Sequence, residues 1–221
     1  MSTADFVTNF KEFVITFGEL LGTLIIGVVI GVVGAIRKRK WHIGITTKQN
    51  KMFAEQHSRI HEMLTELRLV TRASRCLIFQ FHNGGSFADG TSIKRFSVTH
   101  ESNDSTVSSI LIESQDVLLT RYMELVRILD DSPNHILAVS SLSPSAFRSS
   151  LEINNVQYFS MSPLKCVDGL TPLGFLCCQW CSADQLDQVE AEGVSESTLE
   201  QVIANSVSQI NSHLATKVGK Q

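Results

Sequence analysis

The sequence predicts an α+β protein: one transmembrane helix and one amphipathic linker helix lead into an antiparallel sheet with flanking helices. Three observations predict it. An apolar run near the N-terminus carries almost no charge, a seven-residue apolar repeat follows it, and beyond residue 74 short apolar runs alternate with Gly, Asp and Asn clusters. At 221 residues, 43% apolar and 19% charged, the chain has room for one ordinary domain and an appendage, which argues against a second full domain.

After an N-terminal flank (1–12), residues 13–36 are apolar apart from two threonines and Glu19, long enough for the roughly 20 residues a helix needs to cross a bilayer. A cleaved leader would place basic residues before the apolar run, whereas here Arg37, Lys38, Arg39 and Lys40 follow it. The segment is expected to stay in the protein. By the positive-inside rule it spans once, N-terminus out, with the C-terminal domain in the cytoplasm, at a cell's inner membrane. The basic block (within linker 37–46) suits anionic lipid headgroups and Trp41 suits the interface. Gly18/Gly22 and Gly27/Gly31 have the spacing that lets two membrane helices approach closely, so a homodimer is expected.

Residues 47–73 form the connecting helix, with Phe53, Ile60, Met63, Leu67 and Val70 on a and d positions and Glu55–Arg59 as an i,i+4 pair. Gln56 interrupts the seam. Two readings stand open: a dimeric coiled coil, or a helix that packs its apolar face on its own domain.

From 74 to 218 the elements follow in order. Residues 75–81 (RCLIFQF) form a strand ended by the turn residues His82, Asn83, Gly84 and Gly85. Residues 92–101 form a second strand of imperfect alternation. A helix at 117–129, a strand at 136–140 and a short helix at 147–153 come next. Strands 156–166 and 173–181 form a hairpin around Asp168-Gly169. The last helix, 198–218, presents Leu199, Val202, Ile203, Val207, Ile210 and Leu214 on one face, with Ser197 and Glu200 as a capping box.

Residues 74–221 hold nine Lys/Arg against sixteen Asp/Glu, and such an acidic domain repels phosphate backbones, so no nucleic acid is expected. Five cysteines without a scaffold pattern fit a reducing compartment. Cys178 and Cys181 form a C-x-x-C, but inside a strand residues three apart point to opposite faces, which favours core side chains over a metal or redox pair.

Laid end to end, the order helix, strand, strand, helix, strand, short helix, strand, strand, helix resembles the GAF family of sensory domains. So does the hairpin YFSMSPLKCVDGLTPLGFLCCQW at 158–180, with its "lGfl" core. The resemblance spans about residues 50 to 218. It implies an antiparallel sheet with helices on one side and a ligand pocket on the other, small-molecule binding, and dimerisation through flanking helices. The short anchored form is also similar to uncharacterised phage-encoded membrane proteins. The Asn-Lys-Phe-Asp-Glu signature of cyclic-nucleotide-binding members is absent, and no cysteine stands in a bilin-attachment context. The cysteines sit mostly in strands, unlike the catalytic set of free methionine sulfoxide reductases.

The candidate ligand site is the segment His82, Asn83, Gly84, Gly85, completed by Asp89, where clustered glycines bring backbone N–H groups to a polar ligand or anion. Phe81, Phe96 and Phe159 would line a pocket or fill the core. His82 and His100 would meet on a metal only if their strands do not pair as a simple hairpin, so no metal site is expected. No triad, phosphate loop or carboxylate pair stands out, so no catalytic residue and no enzyme is expected, and no cofactor is identifiable. The expected function is a membrane-anchored sensory or adaptor module, binding a small ligand or a protein partner. Recruitment or interaction at the inner membrane, in a phage-encoded protein, is the alternative.

Overall fold

The computed structural model describes residue 31 and residues 50–86, 92–165 and 172–215. The chain divides between Glu55 and Gln56, and the second unit carries the sheet. The expected membrane helix, apart from Gly31, and the basic linker lie outside the described residues, as does Asp89. Among the described residues no helix is long and apolar enough to cross a membrane.

The helical run 50–71 contributes residues 56–71 to this unit, here α1. Then follow β1 (Arg75–Ser86), β2 (Ser92–Asn103), the two-residue β3 (Val117–Leu118), a 3₁₀ turn (Leu119–Tyr122) and α2 (Met123–Asp131). The chain continues through β4 (Ile136–Ala138), α3 (Ala146–Ile153), β5 (Tyr158–Lys165), β6 (Pro172–Trp180), α4 (Asp184–Ala191) and α5 (Glu196–Ala215). The strands form one antiparallel sheet in the order β3-β2-β1-β6-β5-β4.

Alternation along the central strands sends side chains to two cores, one on each face. Leu77, Phe79, Met161, Phe175 and Cys177 face α2 and α3. Cys76, Ile78, Leu164, Leu176 and Cys178 face α1 and α5, whose Ile60, Leu64, Leu67, Ile203 and Ile210 cover them. Helices therefore lie on both faces, where the family resemblance implied one. Of the two readings of the connecting helix, residues 56–71 follow the second: Ile60, Met63, Leu64 and Leu67 pack on the chain's own sheet, while Val70 stays exposed. Gln56 Nε2 donates to the His213 carbonyl on α5 at 2.5 Å, which gives the interrupting polar residue a partner. The ion pairs on this helix are Lys51–Glu55 and Arg59–Glu62, in place of Glu55–Arg59.

Other departures have local causes. β1 does not end at His82; it runs to Ser86, paired through His82–Arg95 and Asn83–Lys94, and Gly85 takes φ +102°, open to glycine. The expected helix 117–129 starts later, because Val117 and Leu118 pair with Phe96 and Arg95 first. The helix α4, with sparse apolar residues, was not foreseen. α5 is capped by Ser195, whose Oγ accepts from the Thr198 N–H at 3.3 Å, while Glu200 instead meets His135 at 2.9 Å.

The imperfect alternation of β2 is a β-bulge. Ile78 pairs with His100 and Phe79 with Val98, leaving Thr99 unpaired between them. Phe96 and Val98 consequently enter the α2/α3 core, whereas past the bulge His100 and Ser102 turn towards α1, where they meet His57 and Thr65.

Candidate functional site

Six aromatic rings occupy the space between the sheet and the α2/α3 layer. Phe79 stacks on Phe175 at 4.5 Å, and edge-to-face contacts run from Phe79 to Phe96, Tyr122, Phe147 and Phe159. They do not fill it completely. A cavity of about 90 Å³ remains, with Phe79, Phe96, Phe147, Phe175 and Leu125 at its apolar end. Its other edge is polar, made by Glu113, Ser114, Ser150, Asn154 and Gln179. An outer groove of about 350 Å³ shares Glu113, Ser114, Tyr122, Ser150 and Asn154 with it and adds Arg121 and Ile153, so these residues form the cavity's mouth.

The mouth is built by anchored loops. Glu101, on the inner face of β2, accepts from Ser109 Oγ and from the Ile110 N–H at 3.0 Å. Gln115 Nε2 donates to the Val98 carbonyl at 2.8 Å, and Arg95 pairs with Asp116 at 2.8 Å, pinning the loop that carries Glu113 and Ser114. On the opposite side α3 is capped by Ser145, which accepts from the Arg148 N–H at 3.1 Å, and ends at Asn154.

Behind the polar edge lies Arg75, opposite Gln179 in the β1–β6 register and only 3% exposed. Its Nε donates to the Ser108 carbonyl at 3.1 Å and its Nη1 to Gln179 Oε1 at 3.1 Å and the Asn154 carbonyl at 3.4 Å. Every one of these acceptors is neutral. Among the described residues no carboxylate pairs with it.

The thiols nearby are unreactive by environment. Burial pushes Cys177 far up, and beside Cys76, whose Sγ donates to it at 3.5 Å, Cys178 is also raised, first by that hydrogen bond and then by burial. Cys178 lies in the α1/α5 core while Cys181 packs against the other, so the C-x-x-C pair is divided between faces. Cys166 lies outside the described residues. Among the described residues no group of three His, Cys, Asp or Glu could hold a metal ion.

The residues singled out in the sequence lie in three places. Phe96 lines the cavity, and Phe159 is buried beside Phe147 without reaching it. Phe81 lines a separate groove of about 390 Å³ with Lys94 and Lys165. His82 meets Ser97 Oγ at 2.9 Å, Asn83 accepts from Lys94 Nζ at 3.1 Å, and Gly84 lies against the Arg95 side chain. His100 sits on the far face, away from His82. Arg75, Glu113, Ser114, Asn154 and Gln179 were not singled out. Two of them left a trace: Arg75 and Gln179 are polar residues at inward positions of otherwise apolar strands.

No protein-family model matches the chain, and no curated protein matches it. Solved structures do. The green-absorbing state of the red/green cyanobacteriochrome NpR6012g4 is similar with a TM-score of 0.50 at 18% identity, over 76% of this chain and 99% of that one. The GAF domain of PixJ from Thermosynechococcus elongatus (TM-score 0.46, 10% identity, 73% and 88% covered) and a phycoerythrobilin-bound GAF domain of a cyanobacterial phytochrome (0.45, 18%, 75% and 93%) are also similar. The sheet with its flanking helices has a GAF-like fold.

Proposed function

We propose that the protein is a membrane-anchored sensory module whose GAF-like domain binds a small ligand between the sheet and the α2/α3 layer. The observation that supports this is the cavity: an apolar aromatic end, a polar edge with a buried guanidinium behind it, and a groove leading in. Such a combination is the usual make-up of a small-molecule site. The anchor 13–36 and the block Arg37–Lys40 would hold the domain on the cytoplasmic side of an inner membrane, with two copies associating through the glycine-spaced helices. The protein acts without catalysis in this reading, and its state is read by a separate partner. Exposed Ile112 (85%), Ile153 (79%) and Met123, beside the groove, support a second reading in which a protein partner docks there.

The test is native mass spectrometry of the full chain, released from detergent after purification from the cell that makes it. A retained small-molecule mass is expected; an apo chain carrying a co-purified polypeptide would shift the function to recruitment. Orientation has its own test. A thiol reagent that cannot cross membranes should leave the domain unlabelled in intact cells, and labelling of Cys181 there would reverse the topology.

A further inference from the structure

At one end of the sheet the two hairpins part. The β1–β6 pairing stops at Gln80 and Gly174; beyond it β1 pairs only with β2, and Pro172 pairs with Lys165 of β5. A groove of about 390 Å³ lies there, lined by both hairpins, by Leu119 and by α2. It shares no lining residue with the aromatic cavity, so binding here would be independent of a ligand there.

The lining limits what can enter. Phe81, Leu119, Val126, Leu129 and Pro163 are apolar, and the only polar side chains are Lys94, Lys165 and Asp130. Pro163 and Pro172 offer no N–H either. A peptide laid along these walls would leave its amide groups without partners, whereas a hydrocarbon loses nothing by desolvation. A protein cavity of about 150 Å³ takes the six carbons of benzene, so about 390 Å³ holds a chain of roughly fourteen.

The charges select the head group. Lys94 and Lys165 are the only lysines of residues 74–215, a stretch rich in Asp and Glu, yet both line this groove. Among the described residues neither has a carboxylate within ion-pair distance, and Lys94 Nζ donates only to the neutral Asn83 Oδ1 at 3.1 Å. Two ammonium groups against one carboxylate, Asp130, complement a single negative charge better than two. We propose that the groove takes a long-chain fatty carboxylate, its chain on Phe81, Leu119, Val126 and Leu129 and its head group at Lys94 and Lys165.

The experiment uses the full chain in phosphatidylcholine vesicles with tetradecanoate that carries a photoactivatable diazirine at mid-chain. Labelled peptides are mapped by mass spectrometry after illumination. Label should fall on β1, α2 and the β5–β6 hairpin, and unlabelled tetradecanoate should suppress it better than tetradecanol does. Replacing both lysines, Lys94→Gln with Lys165→Gln, should weaken binding about fivefold, the loss that two exposed ion pairs account for. Asp130→Asn removes the like charge and should tighten it. Val126→Trp, which fills the groove, should abolish the label there. Label confined to residues 13–36 would reflect partition into the bilayer alone and overturn the site. Equal competition by the alcohol, or undiminished binding in the double lysine variant, would overturn the carboxylate. A diazirine-bearing phosphatidylcholine that labels the same peptides as strongly would replace the free acid with a bilayer lipid and overturn the proposal as well.

Discussion

His100 lies 6% exposed under α1, its ring stacked on His57 with Nε2 2.6 Å from His57 Nδ1 and its Nδ1 3.0 Å from Thr99 Oγ1. Burial first, then the nearby His57 and His61, lowers its pKa from 6.5 to about 4. The unfolded chain then takes up the proton before the folded one does, so stability is full above pH 6.5 and falls as the pH drops towards 4. The loss reaches about 3 kcal/mol on this account. Urea unfolding at a series of pH values should show that slope, and His100→Gln should flatten it; an equal slope in the variant would place the titration elsewhere. Ser162 is the converse case, a buried hydroxyl with no hydrogen-bond partner among the described residues. Ser162→Ala should therefore raise stability by about 1 kcal/mol, and a loss of that size would mean that a partner exists. Neither residue announces itself in sequence. His100 was expected near the end of its strand, but the bulge at Thr99 that turns it to α1 depends on pairing with β1, which the local pattern of β2 does not encode.

Elements whose apolar period is strong and local were legible. β5, β6 and α5 fall within a few residues of their expected positions, β1 starts where expected though it runs on to Ser86, and the alternation in RCLIFQF became the two-faced β1. Legibility failed where tertiary pairing overrides propensity, as at β3, and where the apolar signal is thin, as at α4. The cavity mouth was missed for a similar reason: its loop is placed by Glu101, Gln115 and Arg95 across long sequence separations. The "lGfl" hairpin, by contrast, was both legible and explicable. A Cβ on Gly174 would lie 1.8 Å from the Phe79 carbonyl oxygen and 2.8 Å from the Gln80 Cα, backbone atoms of the adjacent strand that cannot rotate away. Gly174→Ala should destabilise by about 3 kcal/mol, at the upper end of overpacking costs. Chemical denaturation measures it, and a near-neutral variant would show that β1 and β6 can part locally.

For a sensor, an event in the cavity has to reach the helices on the other face, and the central strands are common to both cores. β1 sends Leu77 and Phe79 inward and Cys76 and Ile78 outward; β6 divides Phe175 and Cys177 from Leu176 and Cys178 in the same way. Packed strands of this kind cannot shift on one face alone, because interiors at close-packed density pass displacement to their neighbours. The two cores should accordingly unfold together. Trp180, fully buried in the α1/α5 core with its indole N–H donating to the Thr71 carbonyl at 3.0 Å, is the single tryptophan of residues 56–221 and reports that face alone once Trp41 is replaced by Phe. Leu125 lies in the opposite core, at the cavity. Leu125→Ala should lower the unfolding free energy by about 2–5 kcal/mol. The loss should appear undiminished in the Trp180 fluorescence transition, coincident with far-ultraviolet circular dichroism. A fluorescence transition unmoved while the dichroism shifts would mean that the cores are independent, and a ligand in the cavity would then have no route through the sheet to α1.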